Sequence, residues 1–197
     1  MKNKIAFLDF DGTLTNKDSI SLFYKSLYKS RLVYFYYNYL LCFFELVNNY
    51  FDKTKYFKLK KKRLHNNLNR LNIENFTYFT DLFKSNILPR IIKQSGIDCI
   101  NEHKKNGTIV CIVSASFEFL LDDWCSNNDI FLISNRIDIN DYNFKFNDFD
   151  CNFENKVKKI KENYCLNDFN YIYAYGDSIG DLSMLSIANE KYYNFFK

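Results

Sequence analysis

Apolar and polar positions follow two rhythms along this chain, and the point where the rhythm changes divides it. Ile5 to Leu8 is an unbroken apolar run that stops abruptly at Asp9, the pattern of a central parallel strand covered on both faces. Ile20, Phe23, Tyr24, Leu27 and Tyr28 then recur at helical spacing, with Asn16 or Asp18 available as the cap. From Leu32 to Phe51 only Glu45 is charged, so as a helix this stretch would run about 30 Å and be apolar nearly all round. Leu64, Leu68 and Leu71 mark a further helical face, and Phe76, Phe79, Phe83 and Ile87 another, before Pro89, the only proline. The pattern predicts helix throughout residues 16–88.

Beyond Pro89 strands and helices alternate. Thr108 to Val113 is β-rich, Phe117 to Cys125 has helical spacing, and Ile130 to Ile133 is a short apolar run. Ile137, Ile139, Tyr142, Phe144 and Phe146, punctuated around Asn140-Asp141, suit a small antiparallel hairpin. Phe153, Val157, Ile160 and Tyr164 predict a helix starting close to Lys156, and Tyr171 to Tyr175 the next buried strand. That strand runs into Gly176-Asp177-Ser178-Ile179-Gly180-Asp181. The alternation predicts an α/β class of fold.

Composition and charge narrow the function classes. A chain of 197 residues can bury one core, with room for a sizeable insertion. With 47% hydrophobic and 25% charged residues the balance is globular. The aromatic share is discounted as functional evidence, because Lys, Asn, Ile, Phe and Tyr are abundant together. The net charge of +4 comes mainly from Lys53 to Arg63, where seven of eleven residues are basic; this is a local patch, and no nucleic-acid partner is expected. Six cysteines lie at least twelve residues apart, which leaves no Cys-x-x-Cys pair for zinc or redox work and predicts free thiols in a reducing compartment. Met1 runs into the first strand within a few residues, so a cytoplasmic location without a cleaved leader is expected. For Leu32 to Phe51, Asn38, Glu45, Asn48 and Asn49 interrupt a span, and basic residues on both sides remove the charge bias a span shows. A buried helix is expected there, the other reading being weak contact with an anionic membrane surface through the neighbouring basic run.

The candidate chemistry lies at strand ends. Three of the five glycines, Gly12, Gly176 and Gly180, sit in two acidic loops that follow predicted strands, where the backbone must turn tightly or approach a ligand. Asp9 and Asp11 flank Phe10 and would share a face along a strand, an arrangement suited to a hard cation. Four pieces recur in order: Asp9-x-Asp11-Gly12-Thr13, Ser114, Lys156, and Gly176-Asp177-x-x-x-Asp181. Taken singly each has a bland alternative as a turn, a cap or a solvated helix residue. His65 and His103 are isolated and read as structural, and Glu118 and Asp122 as helix surface.

This series resembles the haloacid dehalogenase superfamily of phosphatases. Val113-Ser114-Ala115-Ser116, Glu154-Asn155-Lys156-Val157 and Tyr173-Ala174-Tyr175-Gly176-Asp177-Ser178 resemble the subclass that contains phosphoserine phosphatase. The resemblance implies a Rossmann-like parallel-sheet core over 1–15 and 89–197, with an all-helical cap inserted over 16–88. It implies a Mg²⁺-dependent phosphomonoester hydrolase acting on a small phosphorylated substrate. Asp9 would be the nucleophile, passing through an aspartyl phosphate, and Asp11 the acid that later serves as base. Asp9, Asp177 and the backbone carbonyl of Asp11 would hold Mg²⁺, with Ser178 and Asp181 in support. Gly12, Thr13, Ser114, Ala115 and Lys156 would surround the phosphoryl group.

The chemistry agrees with those roles, since attack on a phosphomonoester needs a nucleophile, a proton source and positive charge around the transferring oxygens. Asp18 stands near the place where phosphoserine phosphatase carries a glutamate that meets the substrate amine, but the residues around it do not match well. The resemblance therefore does not extend to amino-acid phosphates in particular. A membrane lipid phosphate such as phosphatidylglycerophosphate is an alternative substrate, and a phosphate-binding protein without turnover is an alternative function. A DxD glycosyltransferase fails for want of a nucleotide-sugar region before the motif. The oligomeric state is not legible.

Overall fold

Strand β1 (Lys4–Leu8) places Ile5 and Phe7 in one apolar cluster and Ala6 and Leu8 in the other, all fully buried. An unbroken apolar run is what a strand covered on both faces requires. β2 (Thr108–Phe117), β3 (Phe131–Asn135), β6 (Tyr171–Gly176) and β7 (Glu190–Tyr193) complete a five-stranded sheet of order β3-β2-β1-β6-β7, parallel at every pairing. β4 (Ile137–Asn140) and β5 (Asn143–Phe146) form a separate antiparallel hairpin in which Asn140 pairs with Asn143, as the polar pair at its tip predicts. The computed structural model describes residues 3–27, 68, 71, 73–140, 143–146 and 151–196. The helix expected over Leu32 to Phe51, the face at Leu64 and the basic run from Lys53 to Arg63 lie outside the described residues.

One face of the sheet carries α1 (Ser19–Ser26), α2 (Ile73–Leu82), α3 (Leu88–Ile91), α4 (Gln94–Lys105) and α5 (Glu118–Asn127), which bring Phe23, Phe76, Leu88, Ile100 and Leu120 onto Ala6, Leu8, Val110 and Ile112. The other carries α6 (Glu154–Asn163) and α7 (Leu182–Ser186), whose Ile160, Met184 and Leu185 meet Ile5, Phe7 and Val113. Asp18 rather than Asn16 caps α1, accepting from the Ser21 N–H at 2.7 Å. α2 passes through a wider turn, Phe83–Ile87, into α3. Helix thus continues through Pro89 instead of stopping before it, because a proline in a first turn has no N–H to lose there.

β2 runs four residues past its expected end at Val113, and α4 and β7 have no counterpart in the predicted elements. β7 is a short edge strand with a half-exposed alternation, and α4 is punctuated by charges, so neither carries a strong apolar signature. Gly96 in α4 is needed where the helix crosses β1's following loop: a Cβ there would stand 2.7 Å from a Leu14 methyl. The chain leaves and re-enters the sheet body side by side. Asn16 N–H bonds Ile91 O at 2.9 Å, and Lys93 N–H bonds Leu14 O at 2.8 Å. Among the described residues Cys99, Cys111, Cys125, Cys151 and Cys165 are free thiols, and no helix is long and apolar enough to cross a membrane.

Candidate active site

β1 lies between β2 and β6, with Leu8 level with Ile112 on one side and Tyr175 on the other. The carboxyl ends of the three strands therefore open at one edge, where the order of connection reverses and open α/β sheets hold their ligands. The Asp9 N–H extends the ladder by one bond, to Tyr175 O at 2.9 Å. After Asp9 the backbone leaves the strand through a loop, Phe10–Leu14, in which Gly12 has φ +87. Phe10 anchors that loop: it is fully buried and meets Trp124 edge to face at 5.6 Å. Asp9 and Asp11 consequently do not share a strand face, contrary to the sequence expectation. β1 ends at Leu8, and the loop sends the two carboxylates different ways.

Asp9 faces Lys156, whose Nζ donates to Asp9 Oδ1 at 2.5 Å and to Asp181 Oδ1 at 2.6 Å. Lys156 is 1% exposed, so its ammonium sits inside the protein between two carboxylates. Thr13 Oγ1 lies 2.9 Å from Asp177 Oδ1 and 3.3 Å from Asp9 Oδ2, and its one proton links the first acidic loop to the second. The second loop is closed by a reciprocal cap: Ser178 Oγ accepts from the Gly180 N–H, while Asp181 Oδ2 accepts from the N–H and the hydroxyl of Ser178 and from the Asp177 N–H. Gly176 allows this closure, since a Cβ there would stand 2.5 Å from that of Asp181.

Asp11 points to the start of α1, where its two oxygens accept from the Ser19 N–H and the Ser19 hydroxyl, both at 2.8 Å. Ser19 Oγ is 2.6 Å from Ser116 Oγ, and the Ser116 N–H donates to Ser114 Oγ at 3.0 Å. Hydrogen bonds thus join Asp11, through Ser19 and Ser116, to Ser114 within β2. Lys93 Nζ supports the first loop from outside, donating to Gly12 O at 2.8 Å and to Phe196 O at 3.0 Å. Ala115 O accepts from Asn135 Nδ2 at 2.6 Å. The ten candidate residues therefore come to one strand edge from four separate stretches of chain. Ser19, Ser116, Lys93 and Asn135 were not anticipated as partners of the site; Ser116 stood in the motif around Ser114 and Ser19 is the first residue after a helix cap, while Lys93 and Asn135 carried no local signal.

Burial pushes the Asp9 carboxyl up to about 7, against the pull of the Lys156 ammonium and with Asp181 and Asp177 adding to the rise. Burial also pushes Asp11 up to about 8, reinforced by the Asp18 carboxylate and opposed by the bonds from Ser19. Burial works against the charge of Lys156 too, yet Asp9 and Asp181 hold its proton on and its pKa stands above the ordinary lysine value. Asp181 is held below the usual carboxylate range, since Lys156 and the Ser178 bonds outweigh its burial.

This donor set fits a hard divalent cation. Asp9, Asp177 and Asp181 each offer a carboxylate oxygen within 4.8 Å of the others, and the Lys156 ammonium meets only Asp9 and Asp181 among them. Gly12 leaves the space open: a Cβ there would stand 2.3 Å from Asp177 Oδ2. Asp181 has its oxygens engaged by Lys156 and the loop amides, so Asp9 and Asp177 are the pair left to meet an ion.

A parallel sheet with helices on both faces, carrying an acidic loop at the end of its central strand and a buried lysine against it, defines a class of α/β hydrolases built around a strand-end aspartate. The chain belongs to the haloacid dehalogenase-like hydrolases, whose family model matches residues 6–186. Protein CicA of Caulobacter vibrioides is 27% identical over 197 residues, covering 98% of this chain and 86% of the relative. A structure of a protein of unknown function from Bordetella pertussis Tohama I superposes with a TM-score of 0.82 at 17% identity, over 97% of this chain and 89% of that one. A substrate-bound phosphoserine phosphatase superposes with a TM-score of 0.69 at 18% identity, over 98% and 86%.

Proposed function

We propose that this chain is a Mg²⁺-dependent phosphomonoester hydrolase that passes its phosphoryl group through Asp9. The observation that carries the reading is the position of Asp9: buried, bonded to a buried lysine, and one threonine hydroxyl away from Asp177. A carboxylate attacking a phosphate dianion meets like charge, so the nucleophile needs cations around it. Asp9, Asp177 and the main-chain carbonyl of Asp11 would hold Mg²⁺, which supplies charge neutralisation for the transferring oxygens. Asp181 orients Lys156 and stiffens the second loop, with Ser178 as its cap.

Asp9 Oδ attacks phosphorus and the ester oxygen departs, leaving an acyl phosphate on Asp9. Asp11 gives the leaving alkoxide its proton; a carboxyl raised to about 8 holds that proton at neutral pH. It then takes a proton from the water that releases phosphate. Lys156 binds the phosphoryl oxygens as a point charge and Ser114 as a neutral donor, with the Gly12-Thr13 and Ser114-Ala115 backbones alongside. In this reading residues 1–15 and 89–197 form the catalytic body, 16–88 the cap, and the substrate is a small phosphorylated metabolite. The free described thiols support work in a reducing compartment, the cytoplasm.

The test is phosphate release from a panel of phosphorylated amino acids, sugars, nucleotides and lipids, with Mg²⁺ and with excess chelator. Release is expected from at least one member, lost in chelator and lost in Asp9→Asn while the circular dichroism spectrum stays that of the wild type. Undiminished release in chelator, or a near wild-type rate in Asp9→Asn, overturns the reading.

A further inference from the structure

We propose that Asn135 is a positioning residue of the phosphoryl pocket, its carboxamide stapling the Ser114 loop to the segment that leads into the Lys156 helix. The proposal rests on the phosphatase reading only for the identity of the oxyanion. β2 and β3 pair regularly through Val113 and Ile133, and pairing resumes at Phe117 and Asn135. Four residues of β2 thus advance against two of β3. The surplus is a bulge formed by Ser114, Ala115 and Ser116, and it carries Ser114 out of the ladder at the strand edge where Asp9 lies.

A bulge leaves main-chain groups without their ladder partners, and buried ones must find others. Ser114 Oγ accepts from the Ser116 N–H, and Asn135 supplies a partner for Ala115 O from its side chain. Nδ2 donates to Ala115 O at 2.6 Å, and Oδ1 accepts from the Cys151 N–H at 2.7 Å. The amide is fixed in turn by Lys159 Nζ, which lies 3.3 Å from Oδ1 and 3.0 Å from Ser134 O. Asn135 is 8% exposed and Cys151 fully buried, so no water replaces either bond readily.

From Cys151 the chain reaches Lys156 in one turn of backbone. The Asn155 N–H bonds Asn152 O and the Lys156 N–H bonds Phe153 O, each at 3.1 Å. Phe153 has φ +49, a conformation unfavourable for a residue with a side chain, and its carbonyl is held by Ser183 Oγ at 2.5 Å. The turn is thus under strain and pinned at both ends. One carboxamide therefore sets the separation between a neutral donor and a cation that would grip the same phosphoryl group, an arrangement only a side chain with a donor and an acceptor on one plane can make.

The experiment uses the full chain in Mg²⁺ with inorganic phosphate as the probe, its affinity read by calorimetry in the wild type, Asn135→Ala, Ser114→Ala and the double variant. Asn135→Ala is expected to weaken phosphate binding about tenfold, and to weaken it by less than about twofold once Ser114 is already alanine, because it acts through the Ser114 loop. A purely structural role would give losses that multiply in full. Asn135→Asp keeps the shape and the bond to Cys151 but sets an acceptor against Ala115 O. It is expected to show the same dependence on Ser114 and serves in place of Asn135→Ala if that variant does not fold. Wild-type affinity in either folded variant, or losses that multiply, overturns the proposal. A wild type that binds phosphate yet hydrolyses no phosphomonoester overturns the phosphatase reading and leaves the staple standing, whereas a wild type that binds no phosphate overturns the staple.

Discussion

Lys156→Met removes the ammonium that meets Asp9 and Asp181 while keeping nearly all of the side-chain volume, so its effect is electrostatic rather than a cavity. In the wild type Lys156 and Asp181 are each 1% exposed and Asp9 6% exposed. Removing one partner of a buried, hydrogen-bonded ion pair costs about 3–5 kcal/mol, because the other charge stays behind unpaired. Two carboxylates are left here, but they are not equally trapped. Asp9, already pushed up to about 7, escapes by taking a proton. Asp181 does not, because three donors from Ser178 and Asp177 bind its charged form. The loss is therefore that of about one stranded carboxylate. For a chain of this length each kcal/mol moves Tm by about 2–4 °C, so a fall of roughly 10 °C is expected in chelator at pH 8, within the total stability of an ordinary domain. The assay is a thermal melt followed by circular dichroism. Mg²⁺ should narrow the gap by restoring positive charge to the carboxylates, and acid should narrow it by protonating them. A fall of less than about 2 °C in chelator at pH 8 would refute the reasoning, as it would mean that Lys156 is not the partner these carboxylates depend on.

Asp11→Asn should lower turnover by a factor of about 10² to 10⁴ by removing proton transfer, and labelled phosphate should accumulate on the protein; loss of turnover without labelling would separate Asp11 from that role. Gly12→Ala places a Cβ within 2.3 Å of Asp177 Oδ2 at a backbone of φ +87, so the Mg²⁺ concentration for half-maximal turnover should rise by at least about tenfold, given some 1–2 kcal/mol of left-handed strain added to the displaced ligand; an unchanged value would refute it. His103, bonded to the Tyr175 hydroxyl at 2.8 Å, is held by burial below its ordinary 6.5, against Glu102 and Glu190. The unfolded chain therefore takes up a proton near pH 6.5 that the folded chain refuses, and the stability present above that pH is lost as the pH falls through it. The urea midpoint should drop more between pH 7.5 and 5.5 in the wild type than in His103→Gln, and equal drops would exclude the imidazole as the cause.

The elements that could be read from the sequence are those with a regular apolar run or period of their own. Ile5 to Leu8 and Tyr171 to Tyr175 announce themselves because strands covered on both faces need no polar alternation, and the glycines beside Asp177 and Asp181 mark where backbone has to close on itself. The acidic residues, Ser114 and Lys156 could be singled out as candidates because each lies just past an apolar run or near the start of a helix, so its place in the order is local information. α4 and β7 escaped because charges punctuate the one and the other is a short, half-exposed edge strand. What the tertiary structure alone decided is which way each group points. That Asp9 turns to Lys156 while Asp11 turns to Ser19 follows from the Phe10–Leu14 loop and its anchor on Trp124. That Asn135 reaches Ala115 and Cys151 at once follows from a two-residue mismatch between neighbouring strands. Both depend on pairings between residues far apart in the chain, and a hydrogen bond across such a distance leaves no periodicity behind in the sequence.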